Sequence, residues 1–390
     1  MNLQSLRTLS SKADSKWNGD FDFWKFVSAI YILLLHSYVL FGNGIVCKQG
    51  YLAVELFLII TGFLFAQSVA RDERPFSLRT IGLETAQFLA RKIRSILPYY
   101  IVGYVLVFLS HAHQFASLRF LIDATFDFLF LREHGVTATP IQGINWYLAC
   151  MFSVLFVLYP VFRWRKEFFT DMIAPVLAIV LIGNLFAKYG TIAAGIEIRW
   201  GFVSSNLIRA MGEICLGVFA WRLSEWLKNA KLNHTKVLAY VGFLSAVIAF
   251  SLISFGYGKT AMPLVILLFF VFACISGAGF RLVGDILPQS ICRWLGKISM
   301  VLFLTHTAVR RFLVMFAKRI PRLQALFDAR DTMSIAISLA LYLFLCFALA
   351  IGCMVVWDAI CARRTKTRLA RQTKIAYDPL DASSTVVENT

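Results

Sequence analysis

Long apolar runs alternate with short charged connections through most of this chain, and that alternation sets its architecture. A helix needs about 20 apolar residues to cross a bilayer. Runs of that kind fall at about 23–42, 50–70, 97–113, 144–162, 171–189, 205–223, 237–256, 261–280, 298–316 and 332–357. They predict an all-α, polytopic membrane protein with about ten transmembrane helices. The connections then sort by charge. With both termini on one side, that side receives Arg71, Arg74, Arg79, Arg91, Lys92 and Arg94, then Arg163, Arg165 and Lys166. It also receives Lys228, Lys231, Lys236, Arg281, Arg293, Lys297 and the basic tail after Arg363. The other side has fewer, chiefly Lys318, Arg319, Arg322 and Arg330. Basic loops stay in the cytoplasm, so the predicted topology is N-in, C-in.

Composition agrees: 59% of the residues are hydrophobic and the mean hydropathy is +0.70, which excludes a soluble globular protein. A net charge of +17 would suit nucleic acid. Here the charge borders membrane spans and needs no such partner, so no nucleic acid is expected. Of the eight cysteines, Cys150, Cys215, Cys274, Cys346 and Cys353 fall within spans at no metal-type or paired spacing. They read as small core residues, and no metal site is predicted.

The chain divides into a disordered cytoplasmic N-terminus (1–20), one transmembrane domain (21–360), and a tail (361–390) that is basic and then polar. Two connections carry more than linkage. Residues 71–96 read as an amphipathic helix in the cytoplasmic interface that leads into the third span at Pro98. Residues 117–132 read as a short interfacial or re-entrant helix on the opposite side.

Candidate chemistry begins with His36, because an ionisable group deep in a span is a functional hypothesis by default. Lys25 lies eleven residues earlier on nearly the same helix face, about 16 Å away along the axis. The competing reading is a snorkelling Lys25 and a His36 bonded to a neighbouring helix. The loop 42–50 is short, so the first two spans should be antiparallel neighbours, with Glu55 at a depth similar to that of His36. A carboxylate beside an imidazole fixes its tautomer and stabilises imidazolium. The competing reading pairs Glu55 with Arg209 or Lys48 as a packing device. Gly62 lies seven residues beyond Glu55, on nearly the same face, where a missing side chain permits close approach.

With these residues in view the chain resembles the acyltransferase-3 family of integral membrane acyltransferases, over roughly residues 20–357. The family's Arg/Lys-x10-His pattern appears as Lys25…His36. Its G-V-D-L-F-F-x-x-S-G-F-L stretch appears as Ala53-Val54-Glu55-Leu56-Phe57 through Thr61-Gly62-Phe63-Leu64. Its R-x-x-R before proline appears as Arg91-Lys92-Ile93-Arg94 and Pro98. The start of its fourth helix and a later Tyr-Pro resemble Asn145-Trp146-Tyr147-Leu148 and Tyr159-Pro160. Its late G-x-x-S-Y-x-x-Y-L-x-H resembles Gly296-Lys297-Ile298-Ser299-Met300 and Phe303-Leu304-Thr305-His306. The departures are Glu55 for aspartate, Thr61 for serine, Met300 and Phe303 for tyrosines, and Met151 where many members carry a glutamate.

The resemblance implies transfer of an acyl group, acetyl being the expected one, from cytoplasmic acyl-CoA to a hydroxyl of a sugar or cell-surface polysaccharide precursor. The donor is a substrate, and no permanently bound cofactor is expected. Besides acyl-CoA, the implied partners are a carbohydrate or lipid-linked glycan acceptor and membrane lipids. The implied location is the cytoplasmic membrane of a bacterium. His36 would be general base, oriented by Glu55; an acyl relay through His36 fits equally. Lys25, Arg91 and Arg94 would hold the polyanionic donor. Gly62, Trp146 and His306 would line the acceptor site or tunnel. The competing function is a transporter or flippase of a glycan intermediate, since buried charges mark translocation paths too; the lack of internal repeats speaks against it.

Overall fold

The computed structural model describes residues 17–41, 47–135, 141–193, 199–200, 203–230, 235–257 and 260–376. They are overwhelmingly helical, and each apolar run lies on a helix. In chain order these are α1 (Gly19–His36), α2 (Ala53–Ala70), α3 (Ile81–Leu109), α4 (Leu118–Phe128), α5 (Asn145–Trp164) and α6 (Ala174–Tyr189). Then come α7 (Ser205–Asn229), α8 (Thr235–Ser254), α9 (Met262–Gly277), α10 (Gln289–Ala317), α11 (Pro321–Asp328) and α12 (Thr332–Ala376). A two-residue antiparallel pair, Arg199–Trp200 with Val203–Ser204, precedes α7.

Among the described residues seven helical stretches are long and apolar enough to cross a membrane: Gly50–Ala70, Ile81–Leu109, Asn145–Trp164, Lys166–Tyr189, Thr235–Ser254, Gln289–Ala317 and Thr332–Thr365. The other three expected spans differ for physical reasons. Charge interrupts α1 at Asp20, Asp22 and Lys25, and α7 at Arg209 and Glu213, while α9 has only 16 residues. Outward faces of α3, α6 and α12 expose Ile101, Val105, Ile179, Phe344 and Val355. Only a lipid exterior makes such a belt stable.

Two expectations change at helix boundaries. The segment before Pro98 is not a separate interfacial helix; it is the first half of α3, which runs unbroken through the proline for 29 residues. The basic start of the tail is likewise helical, as the end of α12; residues 377–390 lie outside the described part, as do residues 1–16 and 42–46 of the first loop. Residues 118–128 form the short helix α4, with 11 residues, too few to span.

The core centres on α2, which packs against α7, α1, α9 and α5, while α1 lies along α10. Asn18 caps α1 by accepting from the Phe21 N–H at 3.2 Å, and Asp20 and Asp22 in the first turn complement the helix dipole. Glycine sets the α2–α7 crossing. A Cβ on Gly62 would collide with the Ile214 carbonyl oxygen, and one on Gly217 with that of Ile59. The two backbones therefore touch directly.

Candidate active site

The two buried-span histidines meet. His36, at the end of α1, and His306, on α10, have ring centroids 5.0 Å apart, as the packing of α1 along α10 requires. Their hydrogen bonds define complementary tautomers. His306 Nδ1 lies 2.9 Å from the Phe303 carbonyl oxygen and 3.1 Å from that of Leu302. A carbonyl only accepts, so Nδ1 carries the proton and Nε2 is the basic nitrogen. That Nε2 is buried and without a hydrogen-bond partner among the described residues. His36 is opposite in sense. Its Nδ1 lies 3.4 Å from Arg310 Nη1, and a guanidinium only donates, so Nδ1 is the accepting nitrogen.

Glu55 does not join this pair, which corrects its expected role in orienting His36. Both its oxygens are taken by Arg209 of α7, through Nη2 to Oε1 and through Nε to Oε2 at 3.1 Å. Glu213 Oε1 adds a second carboxylate 3.7 Å from Arg209 Nε. The reason is azimuth. Phe57 of α2 faces Phe303 of α10, centroids 5.9 Å apart. Glu55 lies two residues earlier, about 200° around the helix, and so points to α7 on the far side. Matching depth did not imply matching direction.

Two cavities flank the histidines. One, of about 210 Å³, is lined by Lys25, Phe57, Thr61, Ile96, Tyr147, Gly296, Met300 and Phe303. Its Phe303 ring lies 6.2 Å from that of His306. Lys25 is held at its mouth by an ion pair with Asp22, which also accepts from Trp17 Nε1 at 2.8 Å. The other cavity, of about 650 Å³, opens at the opposite end and includes Tyr38, His113, Arg310, Arg311, Lys318 and Arg319. Arg310 belongs both to this cavity and to the contact with His36.

The remaining expected site residues scatter. Arg91 and Arg94 are exposed on α3 and do not line the Lys25 cavity, although Ile96 two residues on does. Gly62 lines neither cavity; its open side is filled by α7, so it sets a helix crossing and no tunnel. Trp146 has the Arg209 guanidinium 5.1 Å from its ring centroid, which occupies one face that a sugar would need. Among the described residues no group of three or more histidines, cysteines or carboxylates is arranged to hold a metal ion.

Sequence reasoning missed Arg310 and a polar brace behind His306. Arg310 is four residues past His306, hence on the same helix face, and it lies inside the expected ninth span, where a charge is a warning. In the brace, Asp127 Oδ2 accepts from the backbone N–H groups of Ile141 (3.2 Å) and Gln142 (3.1 Å) and from Asn145 Nδ2 (3.1 Å). Gln142 Nε2 then donates to the Leu304 carbonyl at 2.9 Å, two residues before His306. On the Lys25 side a second network fixes the connections. Buried Arg163 donates to the Asp72 carbonyl at 3.0 Å, the Arg74 carbonyl at 2.8 Å and Glu84 Oε2 at 3.4 Å. The Arg74 guanidinium, bonded to both Asp72 oxygens, holds that carboxyl down at about 2.

The fold defines a class first: a membrane protein built almost wholly of helices, several of them long and apolar enough to span. The chain belongs to the acyltransferase-3 family, whose model, an acyltransferase domain, matches residues 18–358. No curated protein and no solved structure matches it.

Proposed function

We propose that this membrane acyltransferase moves an acyl group, acetyl being the expected one, from acyl-CoA to a hydroxyl of a sugar or cell-surface glycan precursor, in a bacterial cytoplasmic membrane. The observation that carries the reading is the His36–His306 pair, ring centroids 5.0 Å apart, with one cavity reaching Arg310 beside His36 and another reaching Phe303 beside His306. Acyl-CoA enters at the Lys25 end, the end bordered by most of the basic loops. Its phosphates interact with Lys25, Arg91 and Arg94, and its pantetheine arm extends toward Phe303. The acceptor hydroxyl enters at the Arg310 end.

His36 acts as general base, taking the hydroxyl proton at Nδ1 once Arg310 turns its N–H from that nitrogen toward the thioester carbonyl under attack. The neighbouring unprotonated His306 Nε2 supports the imidazolium that forms, a role earlier given to Glu55. Arg310 offers N–H groups to the oxyanion of the tetrahedral intermediate. Collapse forms the ester and breaks the C–S bond, and the coenzyme A thiolate recovers the proton. The test is transfer of label from acetyl-CoA to a glycan acceptor by purified protein. His36→Ala should insert and accumulate normally yet lose transfer by at least about 100-fold. Wild-type transfer by that variant would remove His36 from the mechanism.

A further inference from the structure

The larger cavity is basic without compensation. Arg310, Arg311, Lys318 and Arg319 contribute to its wall together with His113, and among the described residues no carboxylate does. Among the described residues none of these four cations has a carboxylate partner, whereas Lys25, Arg163, Arg209, Arg222 and Lys297 all do. Arg311 is held in place by donating to the Ile141 carbonyl at 3.4 Å and by contact with His111 Nε2 at 2.7 Å. These cations recur at helical spacing along one face of α10 and its exit. Topology does not account for them, because they lie at the end where the loop charges predict few basic residues.

Gathering like charges around one concavity is repulsive, and an anion relieves it. The donor chemistry points the same way. Lysine and arginine only donate, so the wall offers many more donors than the acceptors of Tyr38, Ser110 and His113, and an acceptor-only carboxylate or phosphate matches it better than a neutral polyol does. A volume of about 650 Å³ is ample for a sugar unit or a lipid headgroup.

We propose that the acceptor is itself an anion: a hydroxyl-bearing molecule with a carboxylate or phosphate near the hydroxyl to be acylated. The charge lies against Arg311, Lys318 and Arg319, and the hydroxyl is presented past Arg310 to His36. The proposal rests on the transferase reading for its use of the hydroxyl, but its anion site is measurable without donor.

The experiment uses full-length protein in phosphatidylcholine nanodiscs, with galacturonate and glucose 6-phosphate as anionic probes and galactose and glucose as their neutral counterparts. Discs containing phosphatidylglycerol test the headgroup source. Anionic probes should bind about 10-fold or more tightly than neutral ones, and the preference should shrink at high salt. Soluble probes binding would identify an acidic glycan; an effect confined to phosphatidylglycerol discs would identify a lipid headgroup; each supports an anionic acceptor. Arg311→Gln and, because Arg311 also braces the fold, the exposed pair Lys318→Gln/Arg319→Gln should each weaken anion binding about 10-fold, with acyl-CoA affinity reporting that the fold is intact. Binding of galactose as tight as that of galacturonate, no binding of either soluble anionic probe together with no effect of phosphatidylglycerol, or full anion affinity in Lys318→Gln/Arg319→Gln would each overturn the proposal. Transfer to neutral sugars without preference overturns it while leaving the transferase reading intact. Anion binding with no transfer from acetyl-CoA to any acceptor does the reverse.

Discussion

Removing Arg209 should damage this protein more than removing Glu55, and the difference separates a structural role for Glu55 from a chemical one. Glu55 and Glu213 are 0% exposed and Arg209 is 4% exposed, so the three form a buried cluster of two carboxylates and one guanidinium. Arg209→Met leaves both carboxylates without a cation. Orphaning a buried charge costs about 3–5 kcal/mol. Over 390 residues, at roughly 2.1 cal/mol/K each, that lowers the melting temperature by about 4–6 °C. Glu55→Gln is milder, because Arg209 keeps Glu213 at 3.7 Å and its stacking on Trp146; about 1–3 kcal/mol is expected. Adding Glu55→Gln to Arg209→Met should recover part of the loss, since one fewer carboxylate is stranded. The assay is thermal unfolding of the purified variants, with acyl transfer normalised to folded protein. A Glu55→Gln variant that melts like wild type but has lost transfer would refute the reasoning and return Glu55 to the chemistry.

Gly62→Ala should destabilise by about 1–3 kcal/mol through overpacking at the α2–α7 crossing, while acyl-CoA affinity in the folded fraction stays unchanged; wild-type stability with lost donor binding would instead place Gly62 in a tunnel. Asp72→Asn should lower stability at neutral pH. Because Asp72 is held at about 2 when folded, against about 3.9 for a free aspartate, its contribution is complete above about pH 4 and disappears as pH falls through 2. Melting curves of wild type and Asp72→Asn should therefore converge between those values; a gap that persists at pH 2 would show that the carboxylate charge is not what Asp72 contributes.

Much of the fold was legible because length and hydropathy are what a bilayer selects for. α5 and α8 are single apolar runs with polar boundaries, and no tertiary detail is needed to find them. Boundaries failed where two patterns fuse. In α3 an amphipathic half joins an apolar half, and Pro98 looked like the junction. A proline in a membrane helix forfeits one backbone bond while the rest of the ladder holds, so the helix continues through it. The same fusion carries α12 past the expected span to Ala376.

The site was legible by depth but not by direction. Lys25 and His36 share a helix, so their common stripe follows from sequence alone, and the Lys25 cavity and the His36–His306 contact both lie on it. Glu55 sits on a different helix, whose rotation no single-sequence pattern fixes, since α2 is apolar on all sides. The choice between His36 and Arg209 as its partner was a choice between faces. One signal was available and points to the correct answer: α7 places Arg209 and Glu213 four residues apart in an otherwise apolar stretch. A lone arginine inside a membrane domain demands a carboxylate, and a neighbour at i+4 meets that demand only in part, here at 3.7 Å. The same logic applied to Arg310 and Arg311 gives the opposite outcome, because no carboxylate among the described residues meets them. Two half-buried arginines without a carboxylate among the described residues, one of them touching the candidate base, are the signal on which the proposed anionic acceptor rests.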